Sequence, residues 1–261
     1  SPVTTSNVTD VWNNKEFQVD LTTTDNLSGV AQTFYSVNGS EFVEGINFTV
    51  SEEGITEVTY YSVDVAGNKE DVQTVQVKID KTAPTIELDV ADEYALGTDL
   101  KLTYIAADNH SGIAHEQMTV NGQIVQNGGN VSFDKPGQYV IEIEATDHAG
   151  WTTKVTKTIL VYIPATVEVL PKVMNGNKGA FTVQVSLPMG YSPKDFDLDE
   201  VTLNGVSALT SNKGYYQQAK KGQFKFERQD FFWVRGQMTM NFEGKLGDFV
   251  VKGQADVKVI K

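Results

Sequence analysis

The chain contains no cysteine and only 3 histidines among its 261 residues. Without cysteine there are no disulfides, no thiolate metal sites and no sulfur nucleophile, so packing alone must hold the fold together. No run of about 18 apolar residues occurs, which excludes a transmembrane helix. Basic residues are also few, 21 against 34 acidic ones, giving a net charge of −13 and an isoelectric point near 4.6. Phosphate contacts need a basic surface, so this balance argues against a general nucleic-acid binder. Catalytic signatures are missing too: there is no Gly-x-Ser-x-Gly, no His-Glu-x-x-His, no phosphate loop and no glycine fingerprint for a dinucleotide.

A hydrophobic fraction of 40% with 10% aromatics is too rich for a disordered chain. The length suits two domains, or three if the units are small sandwiches. The chain opens on Ser1 with no charged-plus-apolar signal segment before the first domain, and reads as an excised piece of a longer protein.

Self-similarity decides the organisation. At an offset of 83 residues, Asp25–Val30 (D-N-L-S-G-V) returns as Asp108–Ile113 (D-N-H-S-G-I), and Val37–Gly39 returns as Val120–Gly122. Gly54 maps onto Gly137, and Asp64–Asn68 (D-V-A-G-N) returns as Asp147–Trp151 (D-H-A-G-W). Apolar residues alternate within each copy: Phe17, Val19 and Leu21; Val75, Val77 and Ile79; Leu100, Leu102 and Tyr104; Tyr139, Ile141 and Ile143. Period two with β-branched and aromatic enrichment means half-buried strands. Six or seven such strands in about 80 residues, broken by Gly, Asn and Asp turns, fit a two-sheet sandwich of immunoglobulin type.

Ile79-Asp80-Lys81-Thr82-Ala83-Pro84 closes one repeat and opens the next, and Tyr162-Ile163-Pro164 does the same after the second. The expected architecture is all-β, three tandem immunoglobulin-like β-sandwich domains at 1–82, 83–163 and 164–261, joined by short linkers. Residues 164–261 lack the repeated landmarks but still alternate, as at Phe181, Val183, Val185 and Leu187. Their charge differs: 1–82 carries −9, 83–163 carries −7 and 164–261 carries +3.

The pattern Asp-x-x-Ser-Gly-Val, Val-Asn-Gly, Asp-x-Ala-Gly-Asn, closed by Asp-Lys-Thr-Ala-Pro, resembles the bacterial immunoglobulin-like repeats of large secreted and surface proteins. The second copy departs from it at Trp151, where the pattern has Asn, so a turn amide is lost there. The last domain is similar to a strand-rich module near the C-termini of secreted bacterial and archaeal proteins, through Leu187–Tyr191, Asp197–Gly205 and Lys225–Arg228. These resemblances imply a secreted or surface location and an accessory role beside upstream catalytic or anchoring domains, in a parent that degrades polysaccharide or protein.

Candidate sites follow from the loops. In this kind of sandwich the B–C and F–G loops lie at one pole, and the E–F turn and chain exit at the other. Asp25 should then sit near Asp64, and Asp108 near Asp147. Asp80 at the exit of the first repeat, with Glu52 and Glu53 at its E–F turn, would approach Asp108 and Asp147 under end-to-end stacking. Hard oxygen ligands from two rigid bodies suit calcium, which makes Asp80, Asp108, Asp147, Glu52 and Glu53 candidate ligands. The competing explanation is turn chemistry, with Asp side chains bonding nearby amides and Gly supplying positive φ.

His110, His115 and His148 all lie in the second repeat, where two of them beside Asp108 and Asp147 could make a zinc-type site or be solvated loop residues. Asp195, Asp197, Asp199 and Glu200 imitate an EF-hand start. The loop fails at its sixth and twelfth positions, so a solvated face is expected.

In the last domain Tyr215, Tyr216, Phe224, Phe226, Phe231, Phe232 and Trp233 lie among Lys213, Lys220, Lys221, Lys225, Arg228 and Arg235. Exposed rings could stack on sugars and the cations could meet an acidic polymer; the same residues could instead fill and solvate a sandwich core. Tyr215, Tyr216, Lys220, Lys221, Lys225 and Arg228 are the ligand candidates, the tyrosines because neighbours on a strand face opposite ways.

The expected function is a non-catalytic spacer or attachment region, on the order of 100 Å long if ten-residue strands rise about 3.3 Å per residue in three units. The alternative is an adhesin or carbohydrate-binding module, with cell-wall or extracellular polysaccharide as partner and its site on the last domain.

Overall fold

A computed structural model describes residues 1–260. Strand dominates; the helical content among the described residues is one seven-residue helix, Lys213–Ala219, and two 3-10 turns, Pro193–Asp195 and Arg228–Asp230. The residues group into two compact units, the first comprising 1–89, 103–119 and 142–156, and the second 90–102, 120–141 and 157–261.

In the first unit, residues 1–79 form two sheets. The smaller contains Val3–Ser6, Phe17–Thr24 and Asn47–Val50; the larger runs Trp12–Asn13, Gln73–Ile79, Gly54–Asp64, Val30–Val37 and Val43–Glu44. The chain's first extended segment is shared, since Val3–Ser6 pairs antiparallel with Phe17–Thr24 and Trp12–Asn13 then pairs parallel with Gln73–Ile79. With the cross-sheet connections, this is the immunoglobulin-type Greek key. Alternation explains the core: Val19, Leu21 and Val50 from the smaller sheet meet Val58, Tyr60, Val77 and Ile79 from the larger. Each such side chain removed from water contributes roughly 1.5–3 kcal/mol before entropy is counted.

Strand bounds repeat with the sequence. Val30–Val37 is matched by Ile113–Val120 and Gly54–Asp64 by Gly137–Asp147, both 83 residues on. In the first unit Thr85–Leu88 pairs antiparallel with Tyr104–Ala107. In the second unit Glu93–Ala95 runs parallel to residues 160–162, and Asp99–Lys101 pairs antiparallel with Asn130–Ser132.

The rest of the second unit is built around a hairpin, Gly236–Leu246 with Phe249–Val259, flanked by Asp197–Leu203 and facing the sheet Thr166–Leu170, Ala180–Ser186 and Gln223–Glu227. Phe181, Phe224, Phe226 and Phe242 are fully buried in its core. Ile163 and Pro164 pair with Val251 and Lys252. A Cβ on Gly253 would lie 2.4 Å from the Ala165 carbonyl oxygen, so this close approach requires glycine.

Candidate metal centre

The expected ligands nearest the linker meet within the first unit. One carboxylate oxygen from each of Asp80, Asp108 and Asp147 lies within 4.8 Å of the others. Asp80 and Asp147 are buried, and Asp108 is half-buried. Three different segments deliver them: Asp80 follows the strand Gln73–Ile79, Asp108 starts the loop before Ile113–Val120, and Asp147 ends Gly137–Asp147.

Turn chemistry accounts for part of each carboxylate. Asp108 Oδ1 accepts from the amides of His110 (3.1 Å) and Gly112 (2.7 Å), and Asp147 Oδ1 from those of Ala149 (2.8 Å) and Trp151 (2.9 Å). Oδ2 of Asp108 and Oδ2 of Asp147 are buried without a hydrogen-bond partner. Both oxygens of Asp80 are hydrogen-bonded: Oδ1 accepts from the Thr82 amide (3.0 Å), and Oδ2 from the Ser111 amide (3.1 Å) and hydroxyl (2.5 Å). Burial pushes the Asp80 carboxyl up. The Ser111 hydroxyl, the Thr82 and Ser111 amides and the neighbouring His110 pull further the other way, leaving it below the ordinary aspartate value.

Residues 80–84 are fastened on both sides. Trp151 Nε1 donates to the Asp80 carbonyl (2.9 Å) and the Thr153 hydroxyl to that of Pro84 (2.5 Å). Glu53 accepts from the Lys81 amide (2.5 Å) and the Thr82 hydroxyl (2.9 Å), and these bonds, the amide foremost, hold its carboxyl below the usual glutamate value. Glu53 thus grips the linker and lies outside the aspartate cluster. Glu52 lies outside it too, exposed and lining a groove with Asn38, Thr49 and Thr56.

The first repeat carries the matching pair in a different state. Asp25 Oδ2 accepts from the amides of Leu27, Ser28 and Gly29. Asn68 donates its amide to Asp64 Oδ1 and its side-chain Nδ2 to Asp64 Oδ2, each at 2.8 Å. Trp151 stands where Asn68 stands, and it has no side-chain amide to give Asp147. The lost amide was legible in the sequence; the orphaned oxygen it leaves was not.

All three histidines are exposed and outside the cluster. Asp195, Asp197, Asp199 and Glu200 are exposed, with Glu200 paired to Lys245 at 3.2 Å. Several of the ligand candidates of the last domain bond to oxygens of this chain. Tyr215 and Tyr216 sit on the helix Lys213–Ala219, which corrects the strand setting expected for them, and adjacency there no longer sends them to opposite faces. Lys220 Nζ donates to the carbonyls of Lys194 (2.7 Å) and Phe196 (3.2 Å), and Lys225 Nζ to the Thr182 hydroxyl (2.5 Å). Arg228 donates to the Asn175 carbonyl (3.2 Å), while Lys221 is exposed. Phe224, Phe226 and Phe231 are core residues, with Phe181, Phe231 and Trp233 in mutual ring contact; Phe232 points to solvent.

No family model matches the chain, and no curated protein matches it. Among solved structures it is similar to the fibronectin(III)-like modules of Clostridium thermocellum CbhA, with 16% identity, a TM-score of 0.33, and 61% of this chain and 94% of that one covered. It is also similar to three N-terminal domains of the bacteriophage RB49 highly immunogenic outer capsid protein, at 11% identity, a TM-score of 0.35, and 100% and 99% coverage. A bacterial ice-binding adhesin matches at 14% identity, a TM-score of 0.32, and 95% and 91% coverage.

Proposed function

We propose that this chain is a non-catalytic accessory region of a larger secreted or cell-surface protein, a stiff spacer of β-sandwich modules at 1–82, 83–163 and 164–261. The observation that carries the reading is the state of Asp80. A flexible tether is polar, solvated and free of contacts. Asp80 lies in the linker yet is fully buried, with its carboxylate on Ser111 and its carbonyl on the Trp151 indole. A linker held this way fixes an angle, which serves stand-off and orientation. No helix among the described residues is long and apolar enough to cross a membrane.

The carbohydrate-binding alternative on residues 164–261 has less support, because Lys220, Lys225 and Arg228 are engaged with this chain's own oxygens. NMR relaxation on the whole chain tests the spacer. Amides in Gln73–Ile79 and in Ile113–Val120 should report one correlation time, and Asp80→Ala should separate them. Two unequal correlation times in the unmutated chain would refute a fixed joint.

A further inference from the structure

We propose that Asp80, Asp108 and Asp147 bind one calcium ion. This goes beyond the spacer reading: a metal-free joint could be stiff, and a calcium site could sit in a protein that spaces nothing.

The geometry suits the ion. Three carboxylate oxygens lie within 4.8 Å of one another. Oxygens on opposite sides of Ca²⁺ are roughly 4.6–5.2 Å apart, twice the metal–oxygen distance, against roughly 4.0–4.2 Å for Mg²⁺. The donor set is all oxygen, with the exposed histidines outside it, so nitrogen- and sulfur-preferring metals match it poorly.

Proximity of acids alone would not carry the proposal. The independent observation is that Asp147, 2% exposed, has Oδ2 without any hydrogen-bond partner, as does Asp108. Buried polar atoms are almost always paired, and a buried anionic oxygen is the costliest to leave alone. A divalent cation would satisfy both oxygens and neutralise two of the three negative charges that meet there. Backbone amides already hold Oδ1 of each residue, so the free oxygens are pre-oriented and little reorganisation accompanies binding.

The first repeat supplies an internal control. Its Asp64 keeps both oxygens engaged by Asn68. The residue that separates the two cases is Trp151. Its indole donates to Asp80 and its amide to Asp147, so it lies against the proposed ion.

The test uses the whole chain with Ca²⁺ and with Tb³⁺ as a luminescent substitute. Calorimetry should find one Ca²⁺ per chain, and 280 nm excitation should give Tb³⁺ emission that falls severalfold in Trp151→Phe. The melting temperature should be higher in millimolar Ca²⁺ than in chelator, with a smaller rise in Mg²⁺. Asp147→Asn keeps an oxygen for the Ala149 and Trp151 amides. It should weaken Ca²⁺ at least tenfold, yet melt no lower than the unmutated chain in chelator, because a buried repulsion is relieved. Trp151→Asn, which installs the residue of the first repeat, should also weaken the site, and Asp64→Asn should leave it intact. Absence of calorimetric heat and of Tb³⁺ emission at millimolar metal would overturn the proposal. So would binding of undiminished affinity in both Asp147→Asn and Asp108→Asn. Neither result bears on the spacer, which the relaxation measurement in chelator judges separately.

Discussion

Asn38, Asn121 and Asn204 have φ of 49°, 48° and 47°, and each is followed by a glycine that is also left-handed. Asn-Gly is the pair that a tight hairpin turn of this hand favours, because Asn tolerates the conformation and Gly is indifferent to it. Each Asn then acts as an extra rung: its amide donates to the carbonyl of Glu57, Val140 or Asn241, and its Oδ1 accepts that residue's amide. The sequence showed the first two copies. The third, another 83 residues on, was visible as letters, but its role emerged only with the strand beside it. Asn204→Ala loses both the tolerated φ and the rung, and should cost about 1–2 kcal/mol in a urea titration. The acids of the first repeat make a pH prediction. Asp25 is held below the ordinary aspartate value chiefly by the Leu27 amide, and Asp64 chiefly by the Asn68 side chain. A depressed folded-state value stabilises the protein above the unfolded value, near 3.9, and that contribution disappears as pH falls through the folded one. Stability should therefore drop below about pH 4, and Asp25→Asn should flatten the slope in melts taken between pH 2 and pH 5.

Among the elements, those that alternate over five or more residues were the most legible. Gly54–Asp64 buries Thr56, Val58, Tyr60, Ser62 and Asp64 on one face, as a period of two demands. Hydrophobic alternation shows only part of that face, since Thr56, Ser62 and Asp64 are polar. Ser62 is buried among Thr4, Thr23 and Thr33, whose hydroxyls lie 2.7–3.2 Å from its own, so hydrogen bonding replaces apolar contact at that end of the sandwich. The helix Lys213–Ala219 was not legible. Two turns are too short for a 3.6-residue period to register, and its signal is the Asn212 side chain accepting from the Gly214 amide at its start. Core positions carry the larger mutational costs. Ile79, fully buried between the sheets, should lose about 2–5 kcal/mol on conversion to Ala. Ile55, 55% exposed on the neighbouring strand, should change by no more than about 0.5 kcal/mol. Chemical denaturation of the two variants checks both values, and equal losses would contradict the assigned faces.

For the molecule as a whole, the uneven charge was readable at once, whereas what each basic side chain of residues 164–261 meets was not. Charge counts carry no information on whether an ammonium meets solvent or a carbonyl, and Lys220 meets two carbonyls. The candidate metal cluster was partly legible: repeat alignment paired Asp108 with Asp147, and fold type brought Asp80 toward them. The reason Glu53 lies elsewhere is local, because the Lys81 amide and Thr82 hydroxyl claim it first. Within the first unit, Asp80 is docked against Ser111 and Trp151 of the loops that carry Asp108 and Asp147. Hydrogen exchange at the Ser111 amide and the Trp151 indole N–H, the two groups that Asp80 holds, tests this most directly. Both should be strongly protected in the unmutated chain, and the Ser111 amide should lose that protection in Asp80→Ala. Exchange at the rate of a free loop in the unmutated chain would contradict a docked linker.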